Sequence, residues 1–119
     1  MSQLNVDSIK DRTGANQPDI VGAAKAFVNF DGTGTVTIRN GFNVSSITDN
    51  GIGNYNVNFT DAMPDASYST VVSLNNRDLS YMHFATSMAV TSSYVKITTA
   101  QSNLVSGVDY NHVSVAIFR

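Results

Sequence analysis

From Lys25 onward, apolar and polar residues alternate with a period of two. Ala26, Val28 and Phe30 fall on one face of an extended segment, with Phe27 and Asn29 on the other. Tyr55, Val57 and Phe59 alternate with Asn54, Asn56, Asn58 and Thr60. Val95 and Ile97 lie on one face of Tyr94 to Thr99, and Val113, Val115 and Ile117 share a face of Asp109 to Phe118. Successive side chains of a strand point to opposite faces, so this repeat predicts half-buried β-strands. Further strands are expected at Val36 to Ile38, Phe42 to Thr48 and Tyr68 to Leu74. Val44 and Ile47 are expected on opposite faces of the second of these. Tyr81 to Val90 suits either period through Met82, Phe84 and Met88, and is read as a strand.

The breaks between these runs carry turn residues. Asp31-Gly32-Thr33-Gly34, Asn40-Gly41 and Asp49-Asn50-Gly51-Ile52-Gly53 each predict a hairpin turn. Pro64 places Asp61 to Ala66 in a loop, because proline cannot donate to a central ladder. Asn75 to Asp78, Thr91 to Ser93 and Gln101 to Gly107 complete the set. Turn signals recur about every 8–12 residues, the spacing of an antiparallel sandwich or barrel. The expected fold is all-β: an antiparallel β-sandwich or jelly-roll-like domain of about seven to eight strands over residues 25–119. Residues 1–24 read differently. Leu4, Val6 and Ile9 are isolated among polar residues, and Thr13 to Asp19 is rich in turn formers. This is expected to be an extended attachment or linker segment.

Composition strengthens the β reading. Only 13% of the 119 residues are charged, all nine acids are Asp, and Ser 14, Thr 11 and Asn 13 carry the surface. Good exposed-helix residues are therefore scarce. The net charge of −2 is spread along the chain, so no nucleic-acid footprint is expected. No run approaches the roughly 18 apolar residues of a membrane helix, and no membrane insertion is expected. The absence of cysteine excludes disulfides, thiolate metal sites and a cysteine nucleophile.

Enzyme motifs do not emerge. His83 has Tyr81 and Ala85 two residues away, and His112 has Tyr110 and Ser114, so neither forms a His-x-His metal pair. No nucleophile elbow surrounds any serine. The nine Asp residues suggest no facing carboxylate pair for glycoside cleavage. Asp49-Asn50 and Asn75 to Asp78 offer oxygen ligands without the order of a calcium loop. No catalytic residue, metal or cofactor is therefore expected. What remains is an amide-rich surface with five tyrosines, the residue types that stack on sugar C–H faces and bond sugar hydroxyls.

Two stretches carry a family resemblance. Leu4-Asn5-Val6-Asp7-Ser8-Ile9-Lys10-Asp11-Arg12-Thr13-Gly14 and the block AKAFVNFDGTGTVTIRNGFNVSSITDNGIGNYNVNFTDAMPDASYS, Ala24 to Ser69, resemble tail-fibre proteins of marine bacteriophages, especially phages of cyanobacteria. The first ring position of that pattern commonly carries Trp; here it is Phe27. The resemblance covers residues 4 to 69 and brings no catalytic residues. It implies a virion structural protein, a tail fibre or receptor-binding module, typically a homotrimer. One end would join other virion proteins, and the other would engage a host cell-surface glycan. Met1 to Lys10 lacks the pattern of a signal peptide, in keeping with synthesis in the host cytoplasm and a place on the virion as a tail or head appendage.

Three functions compete: a glycan-binding receptor module, a purely structural virion component (head fibre, capsid decoration or tail adaptor), and a polysaccharide-degrading tailspike. The missing carboxylate constellation and the short chain disfavour the last. For the first, the expected receptor surface is Asn75, Asn76, Arg77, Asp78, Tyr81 and His83, with Tyr110, Asn111 and His112 as a second cluster. Both are rich in donors, acceptors and rings, and both lie beyond the shared fibre pattern. The apolar residues on both faces of the first and last strands, Phe27 and Phe118 among them, suit a subunit interface.

Overall fold

The computed structural model describes residues 22–75, 80–102 and 107–119. The chain is an all-β sandwich. Its eight strands, among the described residues, are β1 (Ala24–Asp31), β2 (Thr37–Phe42), β3 (Val44–Asp49), β4 (Asn54–Phe59), β5 (Ser69–Leu74), β6 (His83–Val90), β7 (Tyr94–Gln101) and β8 (Val113–Phe118). One sheet has the order β2-β1-β8-β5 and the other β3-β4-β7-β6, with antiparallel pairs throughout. Of the expected attachment segment, residues 1–21 lie outside the described residues.

The core comes from the period-two pattern of the four central strands. Ala26, Val28 and Phe30 of β1 and Val113, Val115 and Ile117 of β8 face Tyr55, Val57 and Phe59 of β4 and Val95 and Ile97 of β7. Val36, Val44, Ile47, Val72 and Leu74 close the periphery. Burying one face of each sheet against the other satisfies the hydrophobic pattern without a helix.

Bulges explain where simple alternation misleads. Val44 and Ile47 both pack against the core, although strict alternation separates them, because a register shift between Val44 and Ser46 inserts one residue. A second shift between Ser87 and Ala89 changes the parity of β6, which is why its periodicity is ambiguous in the sequence. A third, between Asn29 and Phe30 on the β1–β2 ladder, leaves Arg39 as the extra residue of β2.

Asn40-Gly41 is not a hairpin turn. Asn40 pairs with Asn29 and Gly41 with Val28 inside the ladder, and the chain changes sheets at Asn43. Asn43 has a φ of 55°, the left-handed region that Asn tolerates better than most residues. Its side chain pins three segments: Nδ2 donates to the Lys25 and Asp61 carbonyls, both at 3.1 Å, and Oδ1 accepts from the Asp61 N–H at 2.7 Å. Asp109 to His112 is likewise a connection and not strand, since β8 begins at Val113.

The sandwich has two distinct ends. The chain enters β1 at Ala24, beside Phe118, and the β2–β3 crossover and the loops 60–68 and 91–93 lie at that end. There Arg119 donates to both carboxylate oxygens of Asp65, at 2.9 and 2.7 Å. The opposite end gathers the connections 32–36, 50–53 and 107–112, with the approaches to β6.

Replacing Asn43 separates its two roles. Asn43→Gly keeps the backbone conformation and loses the amide bonds, about 1–3 kcal/mol in a urea titration. Asn43→Ala should lose about 1–2 kcal/mol more, because alanine also resists positive φ. Equal losses in the two variants would show that backbone strain plays no part.

Candidate functional site at the loop end

The loop end is built on the 107–112 connection. Gly53 turns the chain with a φ of 64°, donating its N–H to Asp109 Oδ1 at 2.8 Å and accepting from the Thr99 N–H at 2.9 Å. A Cβ there would fall within 3 Å of the Thr99 and Val108 backbone, so this close approach needs glycine. The buried Thr99 hydroxyl donates to the Val108 carbonyl at 2.5 Å, and the Val108 N–H returns a bond to the Thr99 carbonyl at 2.9 Å.

Asp109 Oδ1 also meets the hydroxyl of fully buried Tyr55 at 2.5 Å, and that hydroxyl stands 2.9 Å from the Gly32 carbonyl. The Gly32 N–H in turn donates to the Tyr110 carbonyl at 2.8 Å. Burial, reinforced by the Asp109 carboxylate, pushes the Tyr55 phenol far above its ordinary value of 10.0.

Tyr110 corrects an expectation. Its ring is 0% exposed and cannot present a stacking face to a sugar. The Tyr110 hydroxyl donates to the Ala100 carbonyl at 3.0 Å and lies 2.7 Å from His83 Nδ1. A carbonyl only accepts, so with the hydroxyl proton on Ala100 the Nδ1–H of His83 is the donor to Tyr110. The two rings meet edge to face, 5.5 Å apart at 86°. Tyr110 is thus the core anchor that positions His83.

On the surface of this end, residues far apart in sequence come together. The Asn75 amide donates to Asn111 Oδ1 at 2.7 Å, and the Asn75 N–H donates to the His112 carbonyl at 3.2 Å. Asn75 of the first expected cluster therefore meets Asn111 and His112 of the second. Arg39 joins them: Nη1 reaches Asn29 Oδ1 at 3.4 Å, Nη2 lies 3.7 Å from Asp31 Oδ2, and Nη2 donates to the Asn111 carbonyl. Asp31 also accepts the Thr33 N–H and hydroxyl, and those two bonds, with Arg39 beside them, hold its carboxyl below the usual value.

Asn111 and His112 are exposed, and Tyr81 is 39% exposed. Beside them an open groove of about 620 Å³ runs between the edge strands β5 and β6, with Val72 and Leu74 on one wall and Tyr81, His83 and Phe84 on the other. Asn76, Arg77 and Asp78 lie outside the described residues. Arg39 was not legible as part of this surface, because its position depends on the β2 bulge. Among the described residues, no group of three or more His or Asp side chains is placed to hold a metal ion.

Tyr55→Phe should cost about 1–3 kcal/mol, since it strips the half-buried Asp109 carboxylate of a partner. It should also change the alkaline response. A phenol whose folded pKa is raised stabilises the fold fully below its unfolded value of 10.0, and that stability is lost as the pH climbs beyond it. Denaturant titrations across this range should show a shallower alkaline loss for Tyr55→Phe than for the parent chain. Identical alkaline slopes would remove Tyr55 as the responsible group.

No family model matches the chain, and no significant match emerges among curated proteins or solved structures.

Proposed function

We propose that the chain is a non-catalytic binding module of a bacteriophage appendage, a tail-fibre or receptor-binding domain that engages a host cell-surface glycan. The observation that carries this reading is the gathering of Asn75, Asn111, His112, Tyr81 and Arg39 at one end of the sandwich, opposite the end where the chain enters β1 at Ala24. A module attached through residues 1–24 to other virion proteins would thereby point this surface outward. The chemistry suits a neutral carbohydrate. Amides, a backbone-anchored guanidinium and a partly exposed phenol ring supply donors, acceptors and a stacking face, and the Arg39 charge is offset by Asp31. The resemblance of residues 4 to 69 to marine phage tail fibres supports a place on the virion and a homotrimer.

A second reading, a purely structural virion component, draws support from the apolar outer face of the β2-β1-β8-β5 sheet, which suits assembly rather than recognition.

A glycan array separates the two. Selective binding is expected, and Tyr81→Ala together with His112→Ala should weaken it at least about tenfold, or ~1.4 kcal/mol. Neither substitution removes a buried side chain, so thermal stability should hold. Tyr110→Ala is unsuitable for this test because it opens the core. Absence of any selective glycan binding, or full binding by the double variant, would remove this surface as a receptor site.

A further inference from the structure

The core of the sandwich is open along one edge. Val72 and Leu74 of β5 are register partners of buried Val115 and Val113 of β8, so they are inward residues of their strand. Both are nevertheless only half-buried, as are His83 and Ala85 of β6. β5 and β6 are the outermost strands of separate sheets and share no ladder. The space between them is the groove of about 620 Å³. Tyr81, Met82 and Phe84 complete its lining, with Phe84 49% and Met82 73% exposed. A concave apolar lining that the fold leaves uncovered is where ligands bind.

Two features tie the groove to the loop end. Leu74 runs directly into Asn75, whose amide donates to Asn111. His83 lies against Tyr110, the neighbour of Asn111. A ligand held at the loop end through its hydroxyls therefore has an apolar cleft within reach. Among the described residues, no Lys, Arg or Asp lines that cleft. It offers aliphatic walls, the Phe84 ring and one spare donor, since the Tyr81 hydroxyl makes no hydrogen bond to a described residue.

We propose, resting on the glycan reading of the loop end, that the groove receives the acetyl group of an acetylated sugar. The methyl packs against Val72, Leu74 and Phe84, and the acetyl oxygen accepts from the Tyr81 hydroxyl. Other sugar groups match the lining less well. Bare sugar hydroxyls would lose water against Val72 and Leu74 without replacement. An ionised uronate would lose more, with no cation in the described lining. A 6-deoxy methyl would suit the walls and leave the phenol unused. An acetyl group brings an apolar methyl and an uncharged acceptor together, and it does so in N-linked and O-linked form alike.

The full chain is to be probed on an array of oligosaccharides in matched pairs. One set pairs N-acetyl with hydroxyl at the same carbon. A second pairs O-acetylated glycans with their base-treated products, and a third pairs 6-deoxy with 6-hydroxy sugars. Acetylation should strengthen binding at least about tenfold in one of the first two sets, which also identifies the linkage. Phe84→Ala should bring the acetylated member down to the level of its pair. Tyr81→Phe keeps the ring and removes the hydroxyl, so it should reduce the preference severalfold. Both side chains are exposed, so thermal melting should be unchanged in both variants. Binding with no acetyl preference, a preference confined to the 6-deoxy set, or a preference that survives either substitution would overturn the acetyl assignment and leave the glycan reading standing. Binding of no glycan at all would overturn both.

Discussion

The contact between the Tyr55 hydroxyl and the Asp109 carboxylate is the interaction on which the loop end depends. One carboxylate oxygen receives both that hydroxyl and the Gly53 N–H, so a residue of the last connection is tied to the β3–β4 turn and to the middle of the core. The next residue, Tyr110, binds Gly32 through its carbonyl and Ala100 and His83 through its hydroxyl. Two consecutive residues thereby connect both sheets. A charged acceptor in such a place is costly unless each of its partners is present. That is why Gly53, Tyr55 and Gly32 are held to such close tolerances.

The anchoring of the 107–112 connection bears on the proposed recognition. Loops normally bring mobility to a binding surface, and ordering them on binding reduces affinity. Here the 107–112 connection is anchored from below by the Asp109 and Tyr110 contacts, and from above by Asn75 and Arg39 binding Asn111. The exposed side chains of Asn111 and His112 are therefore displayed from a fixed backbone. For the proposed carbohydrate ligand, this preorganisation would reduce the cost of binding.

Among the described residues, three surfaces differ in character: a polar loop end, a sheet face lined by amides and hydroxyls around β4 with Tyr94 and Phe84 toward its β7 and β6 side, and a sheet with an apolar row of Phe42, Phe27, Ala116 and Val71. A core of strand-alternating residues accounts for the inside of both sheets alike, so the difference between their outer faces is not needed for folding. An outward apolar row adds aggregation risk with no gain to the isolated domain. Its register across four strands, next to a row of amides and hydroxyls, is the arrangement expected of a surface that meets another protein.

The all-β class, the strand-rich body and the central core residues were legible in the sequence, because a period of two survives in β1, β4, β7 and β8 without reference to any partner. The polar character of Asn75, Asn111 and His112 at the loop end was legible too. Local pattern could not reveal the register shifts at Ser45, Met88 and Arg39, since a bulge is defined by the strand opposite. It assigned Asn40-Gly41 to a turn because that dipeptide favours one, whereas pairing with Asn29 and Val28 drew it into a ladder. It read Tyr110 as a surface ring because Tyr110 stands between polar neighbours. Only the tertiary structure buried it, by giving its hydroxyl two partners, Ala100 and His83, that lie 10 and 27 residues away. The sequence determined which residues seek the interior and which faces alternate. The pairing of distant strands decided which of them reach it, because burial and hydrogen-bond satisfaction are properties of the assembled sheets.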